Sequence, residues 1–183
     1  MLSPVSVDHN LILTGWMGPP QLQVARQTAE LLRLSFVNFE ARFEALAGSP
    51  PEEIRALYGE TRLKTIEGEL IAEMALYRGT VLLIGADTLL RGDTLAALRQ
   101  TGPVIALMAS VDAVLQRLHL ALGARYHNPR EREIAIGRLR REWAIRGKEG
   151  VIELDTSALS DTETAEAVAD RWRALTAFID WRA

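Results

Sequence analysis

The segment 11–32, with the sequence LILTGWMGPPQLQVARQTAELL, constrains the fold of this chain more than any other part. Its first three residues are apolar and predict a short buried strand, which Gly15 and Gly18 then interrupt. A helical pattern follows, because apolar or small side chains recur on one helical face at Val24, Ala25, Thr28, Leu31 and Leu32. The segment therefore predicts a strand, a glycine turn and a helix in direct succession.

That succession is the setting of the phosphate-binding loop G-x-x-x-x-G-K-[ST]. When the template is aligned on Gly15, Pro20 stands at its second glycine. Gln21 stands at the lysine, and Leu22 stands at the Ser/Thr that would ligate magnesium. Pro19 and Pro20 also lack the N–H groups that would cradle phosphate oxygens. Because phosphoryl transfer depends almost wholly on positioning and electrostatic stabilisation, these changes together argue against an ordinary kinase.

The length of 183 residues suits one domain with a substantial core, and we expect a single domain over 1–183. A net charge of −3 gives no reason to expect a nucleic-acid partner. The chain has no cysteine and only three scattered histidines, so we predict no disulfide and no metal site. No apolar run is long enough for a membrane span. Residues 1–9 read as a short leader without a signal-peptide pattern, and we therefore expect a cytoplasmic protein.

Five short apolar runs alternate with helical patterns along the chain. Strands are predicted at residues 10–14, 36–39, 80–84, 103–108 and 151–154. Helices are predicted at about 21–33, 41–47, 52–58, 60–77, 93–99, 110–122 and 162–181, with Gly59 separating the third from the fourth. In the last helix, Trp172 and Trp181 are interpreted as packing residues. This alternation predicts an α/β fold with a five-stranded parallel sheet and helices on both faces.

The ends of two predicted strands carry candidate site residues. Asn38 and Glu40 lie at the end of the second strand, and Gly85, Ala86 and Asp87 follow the third. Ligands of open α/β sheets bind outside the carboxyl ends of the strands, so these residues are predicted to lie at a binding site. An alternative interpretation is that Glu40 only caps the following helix.

Cations are concentrated in the second half of the chain, within about 110–150. A charged stretch is usually a solvated face, but this one also occupies the place of a mobile lid over the site. Lys64 and Glu67, three apart on a predicted helix, are interpreted as a solvent-facing ion pair. The cations of the basic stretch are Arg125, His127, Arg130, Arg132, Arg138, Arg140, Arg141, Arg146 and Lys148.

The order of these parts resembles the shikimate kinase family of P-loop kinases. NLILTGWMG is similar to the family's opening strand and G-x-M-G turn, and VARQTAELL to the helix after its loop. FVNFEARFE stands where the family has F-x-D-x-D. Gly59-Glu60 followed by Leu63-Lys64-x-x-Glu67 is similar to its G-E-x-x-F-R-x-x-E segment, and Gly85-Ala86-Asp87 replaces its triple glycine. The resemblance implies a three-layer P-loop kinase fold over nearly the whole chain.

Most functional positions of that family are altered here. By the resemblance, Asn38 replaces an aspartate linked to magnesium, and Glu40 replaces one that binds the shikimate hydroxyls. Lys64 replaces the arginine that grips the substrate carboxylate, which keeps the charge but loses the bidentate fork. Arg125-Tyr126-His127 resembles the family's lid motif R-P-L-L, one position out of register, so Arg125 is the candidate for the lid arginine. The family's later arginine falls within the segment 138–141, where Arg138, Arg140 and Arg141 are the candidates.

Three hypotheses follow from this pattern. The one that we favour is a shikimate-kinase-like pseudoenzyme, without cofactor, that binds a small anionic metabolite near Lys64 and the arginine cluster. The second is a divergent kinase that transfers the γ-phosphate of ATP, with magnesium, to shikimate or a related hydroxy acid; Glu40 and Lys64 would bind the substrate and Arg125 the phosphate. The third is an interaction module whose basic stretch binds an acidic protein. The intact apolar pattern of the core indicates a selected role.

Overall fold

The computed structural model describes residues 8–177 and is built around a five-stranded sheet. Its strands lie in the order β2-β3-β1-β4-β5, and every neighbouring pair is parallel. The predicted parallel sheet is confirmed, with each strand within one residue of its predicted position. The strands are β1 (Leu11–Gly15), β2 (Ser35–Asn38), β3 (Thr80–Leu83), β4 (Val104–Met108) and β5 (Val151–Asp155).

Helices connect the strands and cover both faces of the sheet. They are α1 (Gln21–Leu32), α2 (Phe39–Ala47), α3 (Pro51–Met74), α4 (Ala86–Leu89), α5 (Thr94–Arg99), α6 (Val111–Leu122), α7 (Pro129–Glu142) and α8 (Asp161–Ala177). A short 3-10 turn, Gly123–His127, joins α6 to α7, and a second one, Trp143–Ile145, follows α7. No helix within residues 8–177 is long and apolar enough to cross a membrane. Most of the predicted leader and the last residues of the predicted closing helix, with Trp181, lie outside the described residues.

The basic stretch is largely helical, which the charge pattern did not predict. Helix α6 confirms the predicted helix 110–122, but the 3-10 turn and α7 that follow it were not predicted. Asn128 caps α7, since its side chain accepts a hydrogen bond from the Arg130 N–H, and Pro129 occupies the first helical position. Although most residues of α7 are charged, one side of the helix carries a narrow apolar stripe, in which Ala135 and Leu139 are buried.

Side chains of the central strands alternate between two cores, one on each face of the sheet. In β1, Leu11 and Leu13 join the core formed with α1, α6, α7 and α8, whereas Ile12 joins the core formed with α2, α3 and α5. Such a strand is apolar throughout because both of its faces are covered. Trp172 of α8 is buried and donates from its indole N–H to the carbonyl of Asn10 at 3.0 Å, so the predicted packing role is confirmed.

The long helix α3 contains a kink that the sequence predicted. Gly59 has φ 81° and ψ 172°, a conformation that lies outside the helical region and is essentially restricted to glycine. The two predicted helices are therefore joined end to end through this residue. The kink allows the second part, from Glu60 onward, to pack along the sheet with Leu63, Ile66, Leu70 and Met74 buried.

The predicted ion pair between Lys64 and Glu67 is wrong. Glu67 is buried, and its carboxylate pairs with the guanidinium of Arg91, which follows α4. Lys64 lies on the exposed side of α3. Sequence spacing alone favoured the neighbour on the same helix, but the helix turns Glu67 toward the sheet, where a residue from a distant segment reaches it.

Candidate functional site

A cleft of about 340 Å³ opens at the carboxyl end of β1, where the glycine turn begins. Three elements form its walls: the turn with the start of α1, the ends of β2 and β3, and one face of α7. Central β1 has β3 on one side and β4 on the other, so this is the crevice in which α/β sheets bind ligands. The lining residues are Gly15, Trp16, Gly18, Pro19, Gln21, Leu22, Asn38, Glu40, Leu83, Ile84, Gly85, Arg138 and Glu142.

Gln21, at the position of the catalytic lysine in the loop template, is folded into the turn. Its side-chain oxygen accepts a hydrogen bond from the Met17 N–H at 3.0 Å, and its Nε2 donates to the Gly15 carbonyl at 2.9 Å. Only 7% of the residue is exposed. The Gln21 amide therefore spans the inside of the turn and engages a backbone N–H that a phosphate oxygen would otherwise accept from.

A backbone hydrogen bond within the turn also occupies one of its N–H groups. The Gln21 N–H donates to the Gly18 carbonyl at 3.2 Å, and Pro20 occupies the N-cap position of α1 without a side-chain cap. Gly15 and Gly18 have φ values of 74° and 113°, which the tight turn requires. At Gly15 an added Cβ would also lie 2.5 Å from the carbonyl oxygen of Leu107 in the neighbouring strand. The backbone geometry of the turn therefore requires glycine at both positions.

Arg117 of α6 fixes the turn from outside the cleft. Its guanidinium donates to the Met17 carbonyl at 2.7 Å, to the Thr156 hydroxyl at 3.1 Å and to the Leu159 carbonyl at 3.1 Å, and it also contacts the Thr156 carbonyl. Desolvation by burial lowers the pKa of Arg117, and the charges of Asp161 and Asp155 partly offset that effect. Arg117 thus ties the glycine turn to the segment after β5.

Asn38 and Glu40 both reach the cleft but serve different purposes. Asn38 is the N-cap of α2, where its side-chain oxygen accepts from the Glu40 N–H at 3.1 Å. The alternative interpretation, in which Glu40 caps the following helix, is therefore wrong, because Asn38 caps α2. Glu40 lies in the first turn of α2, and its carboxylate is 3.7 Å from Arg138 of α7. Both partners of this ion pair are largely exposed, so it adds little to stability.

Among the arginines of the segment 138–141, Arg138 is the one that lines the cleft. Its guanidinium lies over the Trp16 ring, 5.1 Å from the ring centroid, which fixes the planar cation against a buried aromatic wall. Arg140 and Arg141 are exposed and do not line the cleft, and Arg125 is exposed in the 3-10 turn after α6. Of the three arginines in the segment 138–141, Arg138 is therefore the one that the structure places at the cleft.

Lys64, Ala86 and Asp87 do not line the cleft, although the sequence placed them there. Lys64 is exposed on α3, Ala86 is fully buried in the first turn of α4, and Asp87 is exposed beside it. Of the three residues in place of the triple glycine, Gly85 alone lines the cleft. The chain turns into α4 directly after Gly85, which carries the next two side chains away from the opening.

Glu142 is a cleft residue that the sequence analysis missed. It ends α7, it is 9% exposed, and its Oε2 accepts from the Ala86 N–H at 2.8 Å. Desolvation by burial raises its pKa to about 7; the Ala86 hydrogen bond and Arg138 oppose this shift, and Asp87 and Glu40 add to it. The only sequence signal was its spacing, since Glu142 lies one helical turn after Arg138 and therefore on the same face of α7.

The cleft does not fit ATP and magnesium as the phosphate-binding loop holds them. The lysine position is occupied by a neutral amide that is already hydrogen-bonded inside the turn. Leu22, at the position of the metal-binding hydroxyl, is 40% exposed and presents an apolar side chain to the cleft. Among residues 8–177, no group of three or more histidines and carboxylates could hold a metal ion. The charged residues that line the cleft are Glu40, Arg138 and Glu142.

The sheet order, the helices on both faces and the turn between β1 and α1 define an α/β protein with the P-loop kinase fold. Solved structures confirm this fold: shikimate kinase from Bacteroides thetaiotaomicron has a TM-score of 0.70 and 20% identity and covers 91% of this chain and 97% of its own. Shikimate kinase from Acinetobacter baumannii in complex with shikimate also has a TM-score of 0.70, with 23% identity, and covers 91% and 93%. These similarities are low in sequence and show the fold.

The chain belongs to the shikimate kinase family. The family model described as shikimate kinase matches residues 22–171, and this match begins directly after the altered turn. Shikimate kinase from Thermodesulfovibrio yellowstonii is 27% identical over 169 residues, which cover 91% of this chain and 96% of that protein. Shikimate kinase from Desulforudis audaxviator is 33% identical over 110 residues, which cover 60% of this chain and 58% of that protein.

Proposed function

We propose that this chain is a member of the shikimate kinase family that has lost ATP-dependent phosphoryl transfer. It uses the remaining cleft to bind a small anionic metabolite, as a binding or regulatory domain. The observation that carries this proposal is the burial of the Gln21 amide inside the glycine turn, with hydrogen bonds to Met17 and Gly15. A cytoplasmic location stays a prediction of the sequence.

The loss of phosphoryl transfer follows from electrostatics. A transferring phosphoryl group needs preorganised positive charge and N–H donors at its oxygens. In this turn, the Met17 and Gln21 N–H groups already donate within the chain, and Pro19 and Pro20 have none to offer. Because Arg138 is the one cation among the lining residues and lies across the cleft over Trp16, it cannot replace both the lysine and the metal ion.

The binding role rests on what the cleft keeps. Its volume of about 340 Å³ is at the lower end of the range for small-molecule sites. Arg138 offers a planar guanidinium that can bind a carboxylate through two parallel hydrogen bonds. Glu40 offers an acceptor for ligand hydroxyls at the rim. A hydroxylated carboxylic acid such as shikimate combines these two features.

The first test is calorimetric titration of the purified chain, with ATP plus magnesium in one series and with shikimate in another. We expect no binding of ATP at millimolar concentration and measurable binding of shikimate. The variant Arg138→Ala should lose shikimate binding, and Lys64→Ala, a cation outside the cleft, should keep it. Magnesium-dependent phosphorylation of shikimate by the unmodified chain would refute the proposal in favour of the divergent kinase.

A second test restores the missing chemistry. The triple variant Pro20→Gly, Gln21→Lys, Leu22→Ser recreates the loop template and should gain ATP binding. The matched control is Gln23→Lys, which adds the same charge at an exposed position of α1. If the triple variant folds and binds no more ATP than the control, the turn is not the cause of the loss.

The exposed arginines of the basic stretch support a second candidate function, the binding of an acidic protein partner. None of the ion pairs formed within residues 8–177 includes Arg125, Arg140 or Arg141. Charge reversal of Arg140 and Arg141 should abolish capture of such a partner and leave shikimate binding intact. Unchanged behaviour of the charge-reversed protein would remove this candidate.

A further inference from the structure

Two ionisable groups of opposite sign face the cleft from the same helix. Arg138 and Glu142 are four residues apart on α7, and both line the cleft. Arg138 is partly exposed over Trp16, whereas Glu142 is buried against the start of α4. An anionic ligand that binds Arg138 must therefore lie near the Glu142 carboxyl group.

The position of Glu142 is tightly constrained. Its Oε2 accepts from the Ala86 N–H at 2.8 Å, and its Oε1 would lie 3.3 Å from a Cβ added at Gly85. The side chain thus stands against the turn that replaces the family's triple glycine. A buried carboxylate of this kind is costly unless it is paired, and one backbone hydrogen bond satisfies only part of its acceptor capacity.

The charges around Glu142 come from three elements. Arg138 of α7 favours its ionised form, whereas Asp87 of α4 and Glu40 of α2 disfavour it. Burial is the largest influence, and the pKa of the group is raised to about 7. Arg138 is thus the only cation among these three neighbours, and an incoming anion would neutralise its charge.

We propose that Glu142 makes anion binding in this cleft proton-coupled: an anionic ligand binds Arg138 when the Glu142 carboxyl group is protonated, so a chain in which that group is ionised takes up a proton on binding. The inference rests on the proposed anion-binding function and deepens it. The bound anion removes the field of Arg138 at Glu142 and adds a negative charge beside it. Both effects favour the protonated carboxyl, and by linkage the ionised carboxyl weakens binding by the same factor. Glu142 is thereby a pH sensor for anion binding in the cleft.

The test measures shikimate affinity against pH by calorimetry on the full chain. The carboxylate of shikimate stays ionised above about pH 6, so the ligand itself does not titrate in the range used. With Glu142 half-ionised near pH 7, affinity should be constant below that value and should fall about tenfold for each pH unit above it. Near pH 8, titrations in buffers of different ionisation enthalpy should show uptake of about one proton per ligand.

Two variants separate Glu142 from its neighbours. Glu142→Gln should bind shikimate with the same affinity at every pH in this range and without proton uptake. Glu40→Gln, which removes an exposed carboxylate of the same cleft, should keep the pH dependence and the proton uptake. A pH-independent wild-type affinity, a Glu142→Gln variant that keeps the pH dependence, or no shikimate binding at any pH would each overturn the proposal.

The readouts also separate this proposal from the proposed loss of catalysis. Phosphorylation of shikimate would refute the pseudoenzyme, yet proton uptake at Glu142 could still accompany binding. Should Glu142→Gln fail to fold, the proton count on the wild-type chain decides the matter by itself, since zero uptake near pH 8 is incompatible with the coupling.

Discussion

Glu142 should control how the stability of this protein depends on pH. The group titrates near 4.5 when unperturbed and near 7 in the folded chain, because burial disfavours its charge. Between these values the folded chain holds a proton that the unfolded chain has released. Stability therefore falls as the pH rises through this window and levels off above pH 7. Each unit of pKa difference corresponds to about 1.4 kcal/mol, so the total loss is about 3 kcal/mol.

Substitution Glu142→Gln removes this titration and keeps an oxygen that can accept from the Ala86 N–H. Urea unfolding at a series of pH values should show wild-type stability that declines between about pH 5 and pH 8 and a variant whose stability stays level. Near pH 8 the variant should be the more stable protein, and a difference of about 3 kcal/mol would raise its Tm by about 6–12 °C in a domain of this size.

The control for this experiment is Glu40→Gln, since Glu40 is exposed and its removal should leave the decline in place. Carboxyl groups with lowered pKa, such as Glu73 and Asp155, change the stability only below their ordinary titration range and do not obscure the window. A wild-type stability that is level from pH 5 to pH 8, or a Glu142→Gln variant with the wild-type decline, would refute the reasoning.

Three further predictions concern stability and are measured by urea unfolding. Gln21→Ala should cost about 1–3 kcal/mol because it leaves buried backbone groups of the turn unpaired, whereas Gln23→Ala on the exposed side of α1 should cost little. Gly59→Ala should cost about 1–3 kcal/mol at its positive φ. Gly68→Ala, farther along the same helix with open space around its Cβ, should gain about 0.5–1 kcal/mol. Asn10→Ala should cost about 2–4 kcal/mol, since this buried side chain makes three hydrogen bonds that join three separate segments. Equal stability of Gln21→Ala and Gln23→Ala, or of Gly59→Ala and Gly68→Ala, would contradict the corresponding prediction. An Asn10→Ala variant as stable as the wild type would contradict the third.

The strand pattern was readable because burial on both sides of a parallel sheet leaves continuous apolar runs. PVIALM and TVLLI are typical of strands covered on both faces, and the structure places Val104–Met108 and Thr80–Leu83 of these runs in the sheet. The kink at Gly59 was also readable, because glycine punctuates a helical pattern. The helix α7 was not, since eight of its fourteen residues are charged, in a pattern typical of a solvated face.

Some of the residues that line the cleft were named from the sequence. The turn and the end of β2 were found, because local motifs mark them. Lys64 was placed in the cleft by resemblance, yet the rotation of α3 carries it to the surface. Glu142 was missed, because its spacing from Arg138 places both residues on one face of α7 but does not show that this face packs against the site.

The sequence by itself determined the five-stranded α/β fold, the membership in the shikimate kinase family and the presence of Gln21 and Leu22 at the lysine and hydroxyl positions of the loop template. These properties are local: they depend on side-chain periodicity and on residues adjacent in the chain. Only the tertiary structure decided that Gln21 fills the turn, that Arg138 is the cation of the cleft and that Glu142 is buried beside it. Those outcomes depend on how helices rotate against the sheet and on which distant residues share a low-dielectric environment, and that information is held in packing over the whole chain.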